Sequence, residues 1–243
     1  MKENKYDDDI FFKKYSEMER SKLGLKGAGE WFELQKILPS FQDKRILDLG
    51  CGYGWHCKYA VDAGAAYVLG CDCSVKMLTV AKQKNNHERI DYQCIAMEDL
   101  TLPPASFDVV FSSLAFHYIE TFEPLVCNIA SWLKAGGEFV FSVEHPIFTC
   151  NGTQDWYYDE HGNILHYPVD HYYDEGEREA IFLNERVIKY HRTLTTYLNT
   201  LLKNGFMLQH IVEPQPPKHM MHLEGMKDEM RRPMMLLVSA KKC

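Results

Sequence analysis

The chain has 243 residues, of which 46% are apolar, 13% aromatic and 25% charged, which is the composition of a folded globular protein and not of a disordered one. Its net charge of −7 argues against a phosphate-rich partner, so nucleic acid is not expected as the main ligand. No apolar run approaches the ~18 residues of a membrane span, and the charged start MKENKYDDDIFFKKY holds no apolar signal core, so a cytoplasmic protein without a membrane span is expected.

Two amphipathic helices come first. Ile10, Phe11, Tyr15 and Met18 share one face of the first, and Trp31, Leu34 and Leu38 share a face of the second, which Pro39 ends. The glycine-rich SKLGLKGAG between them reads as a flexible link. From residue 45 strands and helices alternate. RILDL (45–49) is a strand, and Trp55–Ala63 is a helix closed by Gly64. YVLGCD (67–72) is the next strand, followed by a helix that Ser74 caps and that carries Met77, Leu78 and Ala81. IDYQCI (90–95) and FDVVFSS (107–113) are further strands. Leu125, Ile129, Trp132 and Leu133 recur at helical spacing, with Gly136-Gly137 as that helix's end, before a fifth strand EFVFSVE (138–144). Apolar strands in this alternation indicate a parallel sheet covered on both faces.

After residue 144 the rhythm breaks. Residues 145–192 hold five histidines, six tyrosines, Trp156 and many acids without a clean period. Regular structure returns with a helix from Leu194, the strand FMLQHIV (206–212) and the last strand MMLLVSA (234–240); with no helix between them, these two are expected to pair antiparallel. The expectation is one α/β domain over 1–243, doubly wound, with a mostly parallel seven-stranded sheet and an antiparallel last strand. Within it lie N-terminal helices (1–40), a core (41–144 and 193–243) and an insert (145–192) that covers the substrate. The eight cysteines are scattered without a C-x-x-C, so they read as buried small hydrophobes and no metal site is expected.

The segment LDLGCGYGW runs from strand through glycine loop to helix, with Asp48, Gly50, Gly52 and Gly54 preceding Trp55. Glycines allow a tight turn and close approach of a ligand, and a helix N-terminus offers N–H groups. Asp72, at the end of the next strand, is placed to accept hydrogen bonds from both ribose hydroxyls of an adenosine. The bland reading is a tight turn with a surface acid. A dinucleotide loop would read G-x-G-x-x-G and need glycine at Trp55, which disfavours a nicotinamide cofactor.

These residues resemble the class I S-adenosylmethionine-dependent methyltransferases over nearly the whole chain. ILDLGCGYG is similar to their first motif, VLGCDCSVKML to the second-strand acid region, and MEDLTLPPASFDVVFSSLAFHYI to the third and fourth strand region. LKAGGEFVFSVEHP resembles their fifth strand, and the closing strand pair their reversed seventh strand, which makes the fold Rossmann-like. Within the family the chain looks closest to small-molecule methyltransferases. The resemblance implies S-adenosylmethionine as cofactor. Gly50, Cys51 and Gly52 would bind its methionine portion through backbone, with Asp48 ordering the ammonium. Asp72 would hold the ribose, and Cys73 and Met77 would face the adenine. Met97 and Glu98 would line the adenine edge, and Ser112 and Leu114 would lie beneath the sulfonium. Tyr15 and Arg20 would close over the cofactor, as N-terminal helices in this family often do.

His117, just after the fourth strand, and His145, just after the fifth, fall at the carboxyl edge of the sheet, where ligands bind, and are the candidate catalytic residues. The plain alternatives are a half-buried helix residue and a turn positioned by Pro146. Trp156, Tyr157, Tyr158, Tyr172 and Tyr173 are expected to cover the site, and Arg192 to bind an anion or pair with a neighbouring acid. The function expected is methyl transfer to a small apolar or aromatic acceptor. RNA or protein methylation and a non-catalytic S-adenosylmethionine or S-adenosylhomocysteine sensor are the alternatives.

Overall fold

The fold is that of a computed structural model, which describes residues 4–223 and 225–243. Helix α1 (Asp9–Ser16) starts where the Asp8 carboxylate accepts the Ile10 and Phe11 N–H groups. Of the face expected there, Phe11 is fully buried, whereas Ile10 is 62% exposed and Met18 lies beyond the helix end. The glycine-rich segment that follows is ordered, not a loose link: it forms α2 (Glu19–Leu23) and a 3-10 turn (Gly24–Gly27) before α3 (Trp31–Ile37). A Cβ on Gly27 would lie 2.4 Å from the Glu19 carbonyl oxygen, so the glycine is there for close packing.

The core runs β1 (Arg45–Leu49), α4 (Trp55–Asp62), β2 (Tyr67–Asp72), α5 (Val75–Lys84), β3 (Ile90–Cys94) and β4 (Phe107–Ser113). Ser74 caps α5 by accepting the Met77 N–H. A 3-10 turn (Phe116–Tyr118), α6 (Phe122–Trp132) and β5 (Leu133–Glu144) follow. Leu133 already has extended dihedrals and pairs with Phe107, so β5 starts five residues before its expected bound. Gly136-Gly137 therefore form an irregularity inside the strand, where the pairing with β4 shifts register, and do not end the helix.

The insert is α7 (Pro146–Cys150) and two antiparallel hairpins, β6 (Tyr157–Tyr158) with β7 (Ile164–His166) and β8 (Gly176–Phe182) with β9 (Glu185–His191). The chain ends with α8 (Leu194–Lys203), β10 (Phe206–Val212), α9 (Met226–Glu229) and β11 (Met235–Lys242). The main sheet has the order β10-β11-β5-β4-β1-β2-β3. Its strands are parallel except β11, which runs antiparallel to both β5 and β10. This is the expected seven-stranded sheet with a reversed last strand.

Side-chain alternation divides the core between the two faces. Leu47, Leu49, Val110, Phe139 and Phe141 pack with α6 and α8, and Ile46, Val109, Phe111 and Val140 pack with α3 and α4. No helix among the described residues is long and apolar enough to cross a membrane. Every loop at the carboxyl ends of β1, β2, β4 and β5 opens toward one edge, and there the site forms.

Candidate active site

A cavity of about 650 Å³ lies over that edge. Its floor is the loop after β1. Gly50 has φ +75°, and a Cβ there would meet the Ala115 Cβ at 2.5 Å, so only glycine leaves the floor open. The loop's own N–H groups are consumed in holding its shape. Those of Gly50 and Cys51 donate to the Cys71 carbonyl, Gly54 donates to Cys51, and Gly52 donates to the Asp72 carboxylate at 2.9 Å. With these four donors used, the loop is poorly suited to a phosphate.

The structure brings most of the predicted cofactor residues together. Gly50, Gly52, Asp72, Cys73, Met77, Met97, Glu98 and Leu114 all line the cavity, as do Tyr15 and Arg20 from the N-terminal helices. Asp72 also accepts the Ser74 N–H at 2.8 Å. Burial raises its pKa, and the hydrogen bonds from the Ser74 and Gly52 N–H groups oppose that rise in part.

Three predicted residues do not line this cavity, although Cys51 borders the smaller recess beside it. Asp48 is on the β1 face that packs against α4; it accepts the Cys57 thiol at 3.2 Å and does not line the cavity. Burial pushes its carboxyl up to about 7, and its Oδ1 has no hydrogen-bond partner among the described residues. The Cys51 side chain is buried in the same core, leaving only its backbone near the loop surface. Ser112 points into the sheet, where its hydroxyl donates to the Leu49 carbonyl at 2.7 Å, and the next residue, Ser113, lines the cavity instead.

The two candidate histidines part company, His145 turning away because it follows cavity-lining Glu144 at the end of β5 and adjacent residues there face opposite sides. His117 lines the cavity. Its Nδ1 accepts the Glu144 N–H at 3.4 Å, which leaves its proton on Nε2, 3.9 Å from Glu144 Oε1. Burial lowers its pKa to about 4, with Glu144 pulling weakly the other way. His145 faces away from the cavity. It caps α7 by accepting the Ile147 N–H on Nδ1, and its Nε2 lies 2.9 Å from Glu213. It is the turn residue of the plain alternative.

Glu144 is a functional candidate that the sequence does not single out. Its carboxylate lines the cavity while receiving Lys189 Nζ at 2.6 Å and Gln154 Nε2 at 2.7 Å. Burial opposes its charge, but Lys189, then His117, and the hydrogen bonds from Lys189 and Gln154 outweigh it and hold the carboxyl below its usual range.

The roof has two halves. From the N-terminal side Tyr6 meets Tyr118 hydroxyl to hydroxyl at 3.2 Å and Tyr15 edge-to-face at 5.1 Å. From the insert, the β8–β9 hairpin contributes Glu177, Phe182, Val187, Ile188 and Tyr190. The halves meet where Phe11 packs on Phe182 at 5.8 Å and Lys14 pairs with Glu185 at 2.8 Å. Of the five aromatic residues expected over the site, none lines the cavity. Trp156 stacks under Arg231 and Arg232, Tyr172 packs on His191, and Tyr173 is exposed. Arg192 is turned to the backbone and pairs with no acid among the described residues: it donates to the carbonyls of Phe116, Ile119 and Glu120, which fixes the turn that carries His117.

Beside the main cavity, a recess of about 80 Å³ is shared by Arg20, Gly52 and Trp55. Arg20 is anchored there by an ion pair with buried Glu30, and Trp55 Nε1 is buried without a hydrogen-bond partner among the described residues. An orphaned donor next to a guanidinium is a site for an anionic group.

A model of the methyltransferase domain matches residues 47–141. The chain is 36% identical to an uncharacterized protein of Haemophilus influenzae, over 98% of its own length and 96% of that protein. It is 54% identical to a Listeria monocytogenes structure described as a candidate S-adenosylmethionine-dependent methyltransferase, with a TM-score of 0.86 over 90% of this chain and 99% of that one. A Mesorhizobium loti S-adenosylmethionine-dependent methyltransferase is 42% identical, with a TM-score of 0.83 over 90% of this chain and all of the other.

Proposed function

Because the chain belongs to the class I S-adenosylmethionine-dependent methyltransferases, we propose that it methylates a small acceptor held in the same cavity as the cofactor. The observation that carries this reading is the continuity of the cavity. One space of about 650 Å³ runs from the glycine loop and Asp72 to His117, Glu144 and the hairpin, a size in the range of small-molecule sites.

The residues present fit S-adenosylmethionine. Asp72 would take the ribose, with Cys73, Met77, Met97 and Glu98 around the base. The open face of Gly50 and Gly52 would take the methionine portion beside Leu114. Arg20 and the unpartnered Trp55 Nε1–H would take its carboxylate, with Tyr15 above. When bound, the cofactor supplies an electrophilic methyl on a positively charged sulfur.

The chain's own contribution is position and dryness. The two-part roof excludes water, and the glycine floor and hairpin wall confine the reacting groups to one line, an effect worth up to ~7–11 kcal/mol in favourable systems. The geometry offers no ready base: the cavity side of His117 carries its proton, and the Glu144 carboxylate is held by Lys189.

Isothermal calorimetry with S-adenosylmethionine and S-adenosylhomocysteine, each challenged with NADH, tests the cofactor half. Binding of both without competition from NADH is expected, and absence of binding to the folded protein would refute the reading. The acceptor half is tested by S-adenosylhomocysteine release against a panel of small molecules, set beside tRNA and protein substrates. Turnover confined to the macromolecules would overturn it.

A further inference from the structure

Charge is distributed unevenly around the cavity. Five carboxylates line it (Asp72, Glu98, Glu120, Glu144 and Glu177) against two cations, Lys5 and Arg20. Two ion pairs at the cavity are turned in opposite senses. Arg20 lines the cavity while its partner Glu30 does not, so the glycine-loop end meets a cation. Glu144 lines it while Lys189, only 2% exposed, stands behind and outside the lining, so the end beside His117 meets a carboxylate. Tyr118 adjoins that carboxylate, and its ring meets Tyr6 edge-on, which in turn meets Tyr15 edge-on toward Arg20. Aromatic faces and a carboxylate together favour a cation.

We propose that the methyl acceptor is a nitrogen, uncharged when it attacks and cationic once methylated: an amine on a small apolar body, held between Glu144 and the tyrosines. This deepens the function proposed above and rests on it. In the transfer the nitrogen lone pair forms the N–CH₃ bond as the C–S bond breaks, and the pair of that bond stays on sulfur. The positive charge passes from sulfur to nitrogen and never leaves the acidic, aromatic surroundings. An amine that arrives as ammonium first gives its proton to bulk water to become the attacking free base, and a proton still carried by the methylated nitrogen leaves afterwards, also to water. An ionised oxygen acceptor would instead have to approach with its negative charge unsolvated against Glu144. That surface repels it, and the two cations of the lining are already engaged, Arg20 with Glu30 and Lys5 3.6 Å from Glu185.

The test first loads the protein with S-adenosylhomocysteine; failure to load counts against the proposed function and not against this inference. The loaded protein is then titrated with benzyltrimethylammonium, which mimics a methylated product, and with phenylacetate as its anionic counterpart. The ammonium is expected to bind and the anion not. The double variant Glu144→Gln, Lys189→Met removes both charges of the pair together and so avoids stranding a buried lysine. In it the ammonium affinity should fall about tenfold or more while S-adenosylhomocysteine still binds. Tyr118→Leu should weaken the ammonium independently. In turnover, benzylamines should release S-adenosylhomocysteine and matched phenols and carboxylic acids should not. Binding of phenylacetate in preference to the ammonium, an ammonium affinity that the double variant does not change, no binding of either probe, or turnover of phenols alone would each overturn the assignment.

Discussion

Asp48 allows a quantitative test of how the cofactor loop is built. Its carboxyl is buried beneath the glycine loop, with one oxygen on the Cys57 thiol and the other without a partner among the described residues. Burial, with a smaller push from Asp72, raises its pKa to about 7 from the ordinary 3.8. A folded-state pKa above the unfolded one gives stability that is fully present below pH 4, declines as pH rises, and is gone once pH passes about 7. The interval, at ~1.36 kcal/mol for each pH unit, amounts to about 4 kcal/mol in all, of which about 2.5 kcal/mol falls between pH 5 and 8. Asp48→Asn keeps the shape and the acceptor for Cys57 but cannot ionise. Urea midpoints of the two ligand-free proteins, measured from pH 5 to 8 at fixed ionic strength, should therefore diverge, the variant gaining about 2.5 kcal/mol on the parent. His117 and His56, which burial lowers to about 4 and about 3, act in the opposite sense: their contribution is present above their ordinary pKa and is lost as pH falls toward those values. Both proteins share them, so they cancel. A difference that stays flat over the whole range would refute the picture of a buried, protonated Asp48.

Asp72→Ala should weaken S-adenosylmethionine binding by ~1–3 kcal/mol, read by calorimetry on a variant shown to be folded. Unchanged affinity would remove Asp72 from the site. Arg192→Met should destabilise the fold by ~2–4 kcal/mol, because it takes a charged donor from the buried carbonyls of Phe116, Ile119 and Glu120; thermal unfolding reports it, and a change under ~0.5 kcal/mol would show that the grip is idle. Gly70→Ala should cost ~1–3 kcal/mol, since its Cβ would lie 2.8 Å from Cys57 Sγ and 3.0 Å from Cys51 Sγ, directly under the loop; denaturant unfolding at the parent's stability would contradict that packing.

The sheet was legible in the sequence because its signals are local. Most strands are short apolar runs, and a cap such as Ser74 marks the helix that follows, whereas the early start of β5 was hidden behind Gly136-Gly137. The cofactor half of the site was legible for the same reason: Gly50, Gly52 and Asp72 fall at strand ends, and strand ends converge. The β8–β9 hairpin was not. Its turn is Leu183-Asn184, both at positive φ (55° and 59°), and lacks the glycine that usually marks such a turn. Glu144 and Lys189 were hidden by their separation of 45 residues, since nothing in either neighbourhood announces the other. The face of Asp48 could have been read from β1, where Ile46 and Asp48 share a side, but the loop that follows drew attention to the wrong one.

An arginine that holds a turn by its carbonyls does not read the side chains of that turn. Arg192 grips Phe116, Ile119 and Glu120 through oxygens that any residue carries, and His117 and Tyr118, two of the side chains that this turn presents to the cavity, take no part in the grip. Anchorage and recognition are thus assigned to different atoms of the same short segment. The turn can exchange the residues that meet the acceptor while its position stays fixed, which makes positions 117 and 118 the natural place to alter acceptor preference without rebuilding the fold.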